Sequence, residues 1–145
     1  MKTVLKLSLV TGLVCCAGLL MALPGCGGDD TSLEGTRWVM TAYAVDGSTQ
    51  DALSDTTVDA MFADGTVSGT GGCNQYNGSY ELDGDKLSVG PLAGTMMACE
   101  QAIMDQETAY MAALQSASSY EIDGNMLTIK DSPGAAVLEF QAGEG

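Results

Sequence analysis

Gly-Thr-Gly-Gly-Cys-Asn-Gln-Tyr-Asn-Gly-Ser-Tyr-Glu-Leu-Asp-Gly-Asp-Lys-Leu-Ser-Val, residues 69–89, is the stretch from which the fold is read. Gly69, Gly71 and Gly72 interrupt what otherwise reads as strand. Glycine weakens a strand interior, so its use there is a bulge, a tight bend or the close approach of another backbone. Beyond the bend, Tyr76, Gly78, Tyr80 and Leu82 alternate with Asn77, Ser79 and Glu81, the period of a strand with one buried face. Asp83-Gly84 supplies a tight hairpin turn, and Lys86-Leu87-Ser88-Val89 is the returning strand. Cys73 and Asn74 fall at the sharpest point of the bend. Gly72-Cys73-Asn74 reads either as a structural corner or as a binding surface built around Asn74.

Working outward, residues 36–44 form a first strand with Trp38, Met40 and Ala42 on one face. Trp38 is expected in the core with its indole N–H satisfied. Asp46-Gly47 is a turn, and residues 48–55 read as loop. Residues 56–63 form the next strand, with Val58, Ala60 and Phe62 inward, and Asp64-Gly65 turns it back into residues 66–68. On the far side, residues 93–98 read as strand, and residues 119–123, 125–130 and 135–141 as the last three strands. Residues 120–129 echo residues 80–89, two uses of one hairpin pattern rather than a repeat array.

Between these strands the period changes. Ile103, Met104, Tyr110, Met111 and Leu114 recur at helical spacing among several alanines, which places one helix over residues 100–116. Glu100 and Asp105 put negative charge in its early turns. At 100° per residue Glu107 falls on the apolar stripe. A carboxylate there must be paired or hydrogen-bonded, with Arg37, Asn74, the Trp38 indole and backbone N–H groups as candidate partners. It reads as a satisfied structural carboxylate or as a perturbed acid in a pocket. The whole predicts a mainly β (α+β) fold, an antiparallel, barrel-like meander of about eight strands with one helix packed on it.

Composition narrows the chemistry. The chain has 145 residues, 5 Lys+Arg, 19 Asp+Glu and no histidine. Nucleic acid is excluded as a partner, because phosphate binding needs a basic face. Without histidine no Ser-His-Asp or Cys-His arrangement can form, and most zinc chemistry goes with it. Asp83-Gly84-Asp85 offers oxygens but lacks the spaced ligand loop of a calcium site. Paired carboxylates could in principle hydrolyse glycans, but acids scattered over turns are normally solvated charges. No catalytic residue, metal or cofactor is expected.

Residues 1–25 read as a signal segment: Lys2 and Lys6, then an apolar run ending in Leu23-Pro24-Gly25-Cys26. That ending resembles the lipobox of bacterial lipoproteins. The resemblance implies that Cys26 is acylated, that residues 26–32 tether the domain to a membrane, and that residue 27, glycine rather than aspartate, directs it to the outer membrane, periplasmic face. Loss of Lys2 and Lys6 would take the net charge from −14 to −16. Of the five cysteines, Cys15 and Cys16 leave with the signal and Cys26 carries lipid, so Cys73 and Cys99 remain. In an oxidising compartment a disulfide between them is predicted; two buried free thiols are the alternative.

Leu33-Glu-Gly-Thr-Arg-Trp38, Gly71-Gly-Cys-Asn-Gln-Tyr76, Gly78-Ser-Tyr80, Thr95-Met-Met-Ala-Cys99 and Met104-Asp-Gln-Glu107 together resemble the META domain family, which includes heat-inducible lipoproteins of the HslJ type. The resemblance covers residues 33–141 and leaves residues 142–145 as a frayed end. It implies a barrel-like β domain in the bacterial envelope, without catalysis and with a link to stress. The expected function is thus a non-enzymatic, monomeric envelope lipoprotein acting as a binding or stress-protection module. The alternative is a periplasmic inhibitor or small-ligand carrier of barrel type.

Overall fold

The computed structural model describes residues 31–144. The expected signal segment, Cys26 and residues 27–30 lie outside them. The elements are β1 (Arg37–Val45), β2 (Ser48–Asp51), β3 (Asp59–Ala63), β4 (Thr66–Thr70), β5 (Gln75–Asp83), β6 (Lys86–Gly94), α1 (Gln101–Gln115), β7 (Ser119–Asp123), β8 (Met126–Lys130) and β9 (Ala136–Ala142).

All strand pairings are antiparallel, and the sheet runs β2-β1-β3-β4-β5-β6-β7-β8-β9. A further β1–β9 pairing turns the meander into a ring. β1 is shared: Arg37 to Val39 pair with β3, while Ala42 to Val45 pair with the short β2. The mainly β, barrel-like reading with one packed helix therefore holds, with nine strands rather than about eight.

The added strand is β2, in a stretch that reads as loop. All four of its residues are exposed, so it carries no apolar alternation, and β1 alone templates it. Two boundaries also differ. β3 starts at Asp59 rather than residue 56. β6 continues to Gly94, and residues 95–100 leave the sheet instead of forming a strand of their own. Of residues 142–145, expected to fray, the first two are tied down: Ala142 N donates to Asn125 O at 2.8 Å and Gly143 N to Arg37 O at 2.8 Å.

The hairpin turns divide into two kinds. Asp46-Gly47 and Asp64-Gly65 place both residues at positive φ, the two-residue turn that an Asp-Gly pair favours. At the next hairpin Asp83 pairs with Lys86, so the turn residues are Gly84 and Asp85, one position later than the sequence suggested. Only Gly84 there has positive φ. This register sets Leu82 opposite Leu87 and Tyr80 opposite Val89. Leu87, Tyr80 and Val89 are buried, whereas Leu82 is exposed despite its place in the alternation.

The interior of the ring is filled by large side chains. Trp38, Phe62, Tyr110, Leu127, Ile129, Leu138 and Phe140 are fully buried, with Tyr76 and Tyr80 nearly so. Edge-on ring contacts join Phe62 to Tyr80 (centroids 5.1 Å apart), Tyr76 to Tyr110 (5.6 Å) and Tyr110 to Phe140 (6.3 Å). Tyr110 belongs to α1, so the helix itself supplies part of the barrel's filling. The Trp38 indole donates to Leu33 O at 3.0 Å.

The ring is thinnest between β6 and β7, which pair only at Lys86 and Ser119. Leu87 N to Ser118 O (3.2 Å) and Tyr120 N to Asp85 O (2.9 Å) are the bonds beside that pair. α1 packs against β6, β1 and β9. Pro91 lies within β6 at a break in its register with β5, and a residue without an N–H suits a strand with a free margin.

Candidate functional site

The bend between β4 and β5 is made by residues 71–74. Gly72 has φ +109°, a conformation open to glycine, and a Cβ on Gly71 would lie 2.6 Å from Glu107 Cγ. Both glycines are therefore fixed by geometry: one by the turn, the other by the approach of a helix side chain. Gly71 N donates to Asn74 O at 2.8 Å, and Thr56 Oγ1 donates to Gly72 O at 2.9 Å.

Into this bend α1 projects Glu107. Its Oε2 accepts from Cys73 N at 3.0 Å and Asn74 N at 2.6 Å, and its Oε1 accepts from Asn74 Nδ2 at 2.7 Å. Of the partners proposed from sequence, Asn74 and backbone N–H groups serve Glu107. Arg37 does not: its Nε and Nη2 donate to Asp59 Oδ2 at 2.8 and 2.5 Å. Nor does the Trp38 indole, which is taken by Leu33.

Asn74 is buried and passes the connection onward. Its Oδ1 accepts from Thr95 Oγ1 at 2.9 Å and Met97 N at 2.6 Å, and its Nδ2 also donates to Met97 O at 3.3 Å. Cys73 and Cys99 form a disulfide, with Cα atoms 6.0 Å apart. The alternative of two buried free thiols is thereby corrected, and Cys99 is in fact exposed. Helix, bend and segment 95–100 are held as one unit: by a carboxylate, by an amide and by a covalent bond. Within that unit every polar atom of the Glu107 and Asn74 side chains has a protein partner. The arrangement immobilises a loop.

Tyr76, grouped with this motif from sequence, points into the barrel. Its hydroxyl lies 2.5 Å from that of Tyr110 and donates to Asp59 O at 3.0 Å. Burial raises the Tyr76 pKa strongly, the Tyr110 hydrogen bond works against this, and Asp59 adds to it. Tyr110 is pushed up by burial first and by Tyr76 second. Trp38 is likewise a core residue. Tyr80 hydrogen-bonds Glu34, and burial, then that bond, push it up to about 12. These hydroxyls are held protonated and serve as core polar ties.

One polar residue of the helix escaped the sequence reading. Gln106 is 1% exposed, and its Oε1 accepts from Leu53 N at 2.7 Å, which pins the loop after β2. Its Nε2 has no partner among the described residues. The signal was present: Gln106 stands three residues after Ile103 and four before Tyr110, on the same stripe as Glu107.

Outside the barrel, a groove of about 660 Å³ crosses β3 to β6, lined by Asp59, Ser68, Gln75, Asn77 and Ala93 among others. Beside it, segment 95–100 exposes Met96 and Met97. The described residues contain no group of three or more His, Cys, Asp and Glu side chains placed to hold a metal ion, and no helix among them is long and apolar enough to cross a membrane.

None of the curated proteins compared with the chain matches it. A protein from Burkholderia xenovorans solved by NMR is similar at 29% identity and a TM-score of 0.65, over 78% of this chain and 85% of that one. A second NMR structure, at 20% identity and a TM-score of 0.58 over 77% of this chain and 95% of that one, shares the fold. The META domain family model matches residues 31–144. With the helix, the bend and the disulfide in place over that span, the chain belongs to the META domain family.

Proposed function

We propose that this META domain is a non-enzymatic module of the bacterial envelope, held to a membrane by acylated Cys26, which works through its outer surface in binding or stress protection. One observation carries the reading. The polar groups that sequence marks out as special, Glu107 and Asn74, are consumed in holding a loop, while the barrel interior is filled by six aromatic rings: Trp38, Phe62, Tyr76, Tyr80, Tyr110 and Phe140. A domain built this way offers a rigid exterior rather than a reactive pocket. The groove across β3 to β6 is within the size range of small-ligand sites.

Expression of the full chain in a Gram-negative host tests the anchoring. The intact chain should partition into detergent with a diacylglycerol mass on Cys26, and Cys26→Ser should release it. A mature chain without acyl groups would end the lipoprotein reading.

A second reading, an inhibitor of a basic envelope enzyme, is favoured by the net charge of −14. Salt-sensitive binding to immobilised hen lysozyme at low ionic strength would support it, since such attraction is screened by salt. Absence of binding at low salt would remove it.

A further inference from the structure

We propose that Met96 and Met97 form a reversible oxidation site, at which the domain takes oxygen atoms from two-electron oxidants such as hypochlorous acid or peroxides. Met96 is 98% exposed and Met97 57%. Met61 and Met126 stand at 39% each, and Met40 at 4%. Methionine oxidation follows exposure, so the fold ranks its own thioethers and puts two adjacent ones at the front.

The backbone beneath them is secured without their side chains. Thr95 N donates to Gln75 O at 3.0 Å, Asn74 holds both the N and the O of Met97, and Cys99 is bonded to Cys73. Neither thioether is needed for packing. A sulfoxide on either one stays in water, whereas a sulfoxide on Met40 would enter the core. The same disulfide removes the competing sulfur: a thiolate would react first, and Cys73 and Cys99 are already oxidised. Methionine is then the oxidisable sulfur that the described domain presents.

The step balances simply. The sulfur lone pair attacks the oxygen of hypochlorous acid; the S–O bond forms, the O–Cl bond breaks, and chloride and a proton leave. Sulfur loses two electrons and the oxidant gains them. With hydrogen peroxide the leaving product is water. Methionine sulfoxide reductases, one for each sulfoxide epimer, reverse the change at the expense of a thiol reductant.

The test is a titration of the purified full chain with hypochlorite, followed by peptide mass mapping. Among the described methionines Met96 should oxidise first and Met97 second, with Met40 slower by about tenfold or more. The melting temperature should be unchanged after the first two oxygens, and the two reductases together should remove both from the folded protein. The variant Met96→Leu/Met97→Leu should consume two fewer equivalents in the fast phase and melt as the parent does. The proposal is overturned if Met61 or Met126 oxidises as fast as Met96, if the first two oxygens lower the melting temperature, or if the reductases cannot act on the folded chain. Oxygen is scored on the peptides that carry Met96 and Met97, so a free Cys26 thiol, which would react earlier, adds oxidant demand to parent and variant alike and leaves the comparison intact.

Discussion

Glu107 Oε1 accepts a hydrogen bond from Asn74 Nδ2 at 2.7 Å, and this bond ties the middle of the helix to the tightest bend of the sheet. The other carboxylate oxygen receives two backbone donors from the same bend. Three donors converge on one side chain, so an acceptor-only group is required.

Glutamine cannot meet that requirement. Whichever way its amide turns, an NH₂ group faces a donor. Glu107→Gln should lower unfolding stability by about 2 kcal/mol, the usual cost of leaving such groups unpaired. Asn74→Ala should cost a similar amount, and the double variant less than the sum, since the two share bonds. Urea denaturation of the three variants measures this. Unchanged stability in Glu107→Gln would show that the carboxylate does not hold the bend.

The disulfide contributes in a separate way. It closes a separation of 26 residues, which in the chain-entropy account contributes about 3.5 kcal/mol by restricting the unfolded chain. Replacing both Cys73 and Cys99 with serine should remove most of that amount. Hydrogen exchange should quicken in segment 95–100, with the barrel amides following the lowered global stability. Urea midpoints and amide exchange provide the check.

The buried tyrosines give the domain an alkaline limit. Tyr80 is pushed up to about 12, and burial raises Tyr76 and Tyr110 well above the ordinary tyrosine value. An unfolded tyrosine releases its proton near pH 10. Each raised hydroxyl thus contributes stability that is complete below about pH 10 and is lost as pH rises through its folded value. Stability should be flat from about pH 7 to about pH 9.5 and fall steeply beyond it. Tyr80→Phe should lessen that fall. Urea midpoints taken across this range test the sign, and a midpoint that rises with pH would contradict it.

Much of this was legible in the chain because local chemistry and burial agree there. Asp46-Gly47 and Asp64-Gly65 are turns in sequence and in space. Val58, Ala60 and Phe62 alternate inward as written, and Glu107 falls on the packed face of its helix where 100° per residue puts it. Periodicity fails where an element ends or lacks an apolar face. β2 has four exposed polar residues, so only its pairing with β1 makes it a strand. Leu82 keeps the alternation of its strand, yet near the strand's end it is exposed. Residues 93–98 read as strand, but only Ala93 and Gly94 are in one, at the end of β6; beyond them the Met97 backbone is held by the Asn74 side chain, an interaction across more than twenty residues that no local window contains. Gln106 is hard to mark from sequence because glutamine is ordinarily a surface residue; its buried Oε1 is matched by the loop N–H of Leu53.

The narrow join between β6 and β7 has a bearing on how molecules behave when crowded. β6 beyond Lys86 has no strand beside it on that flank, and such a margin normally invites another chain to add itself. Here Pro91 withholds a donor midway along, beside the break in register with β5. A neighbouring copy arriving there would find an interrupted ladder. Gathered at high density on a surface, these domains would brush past one another instead of growing into fibres.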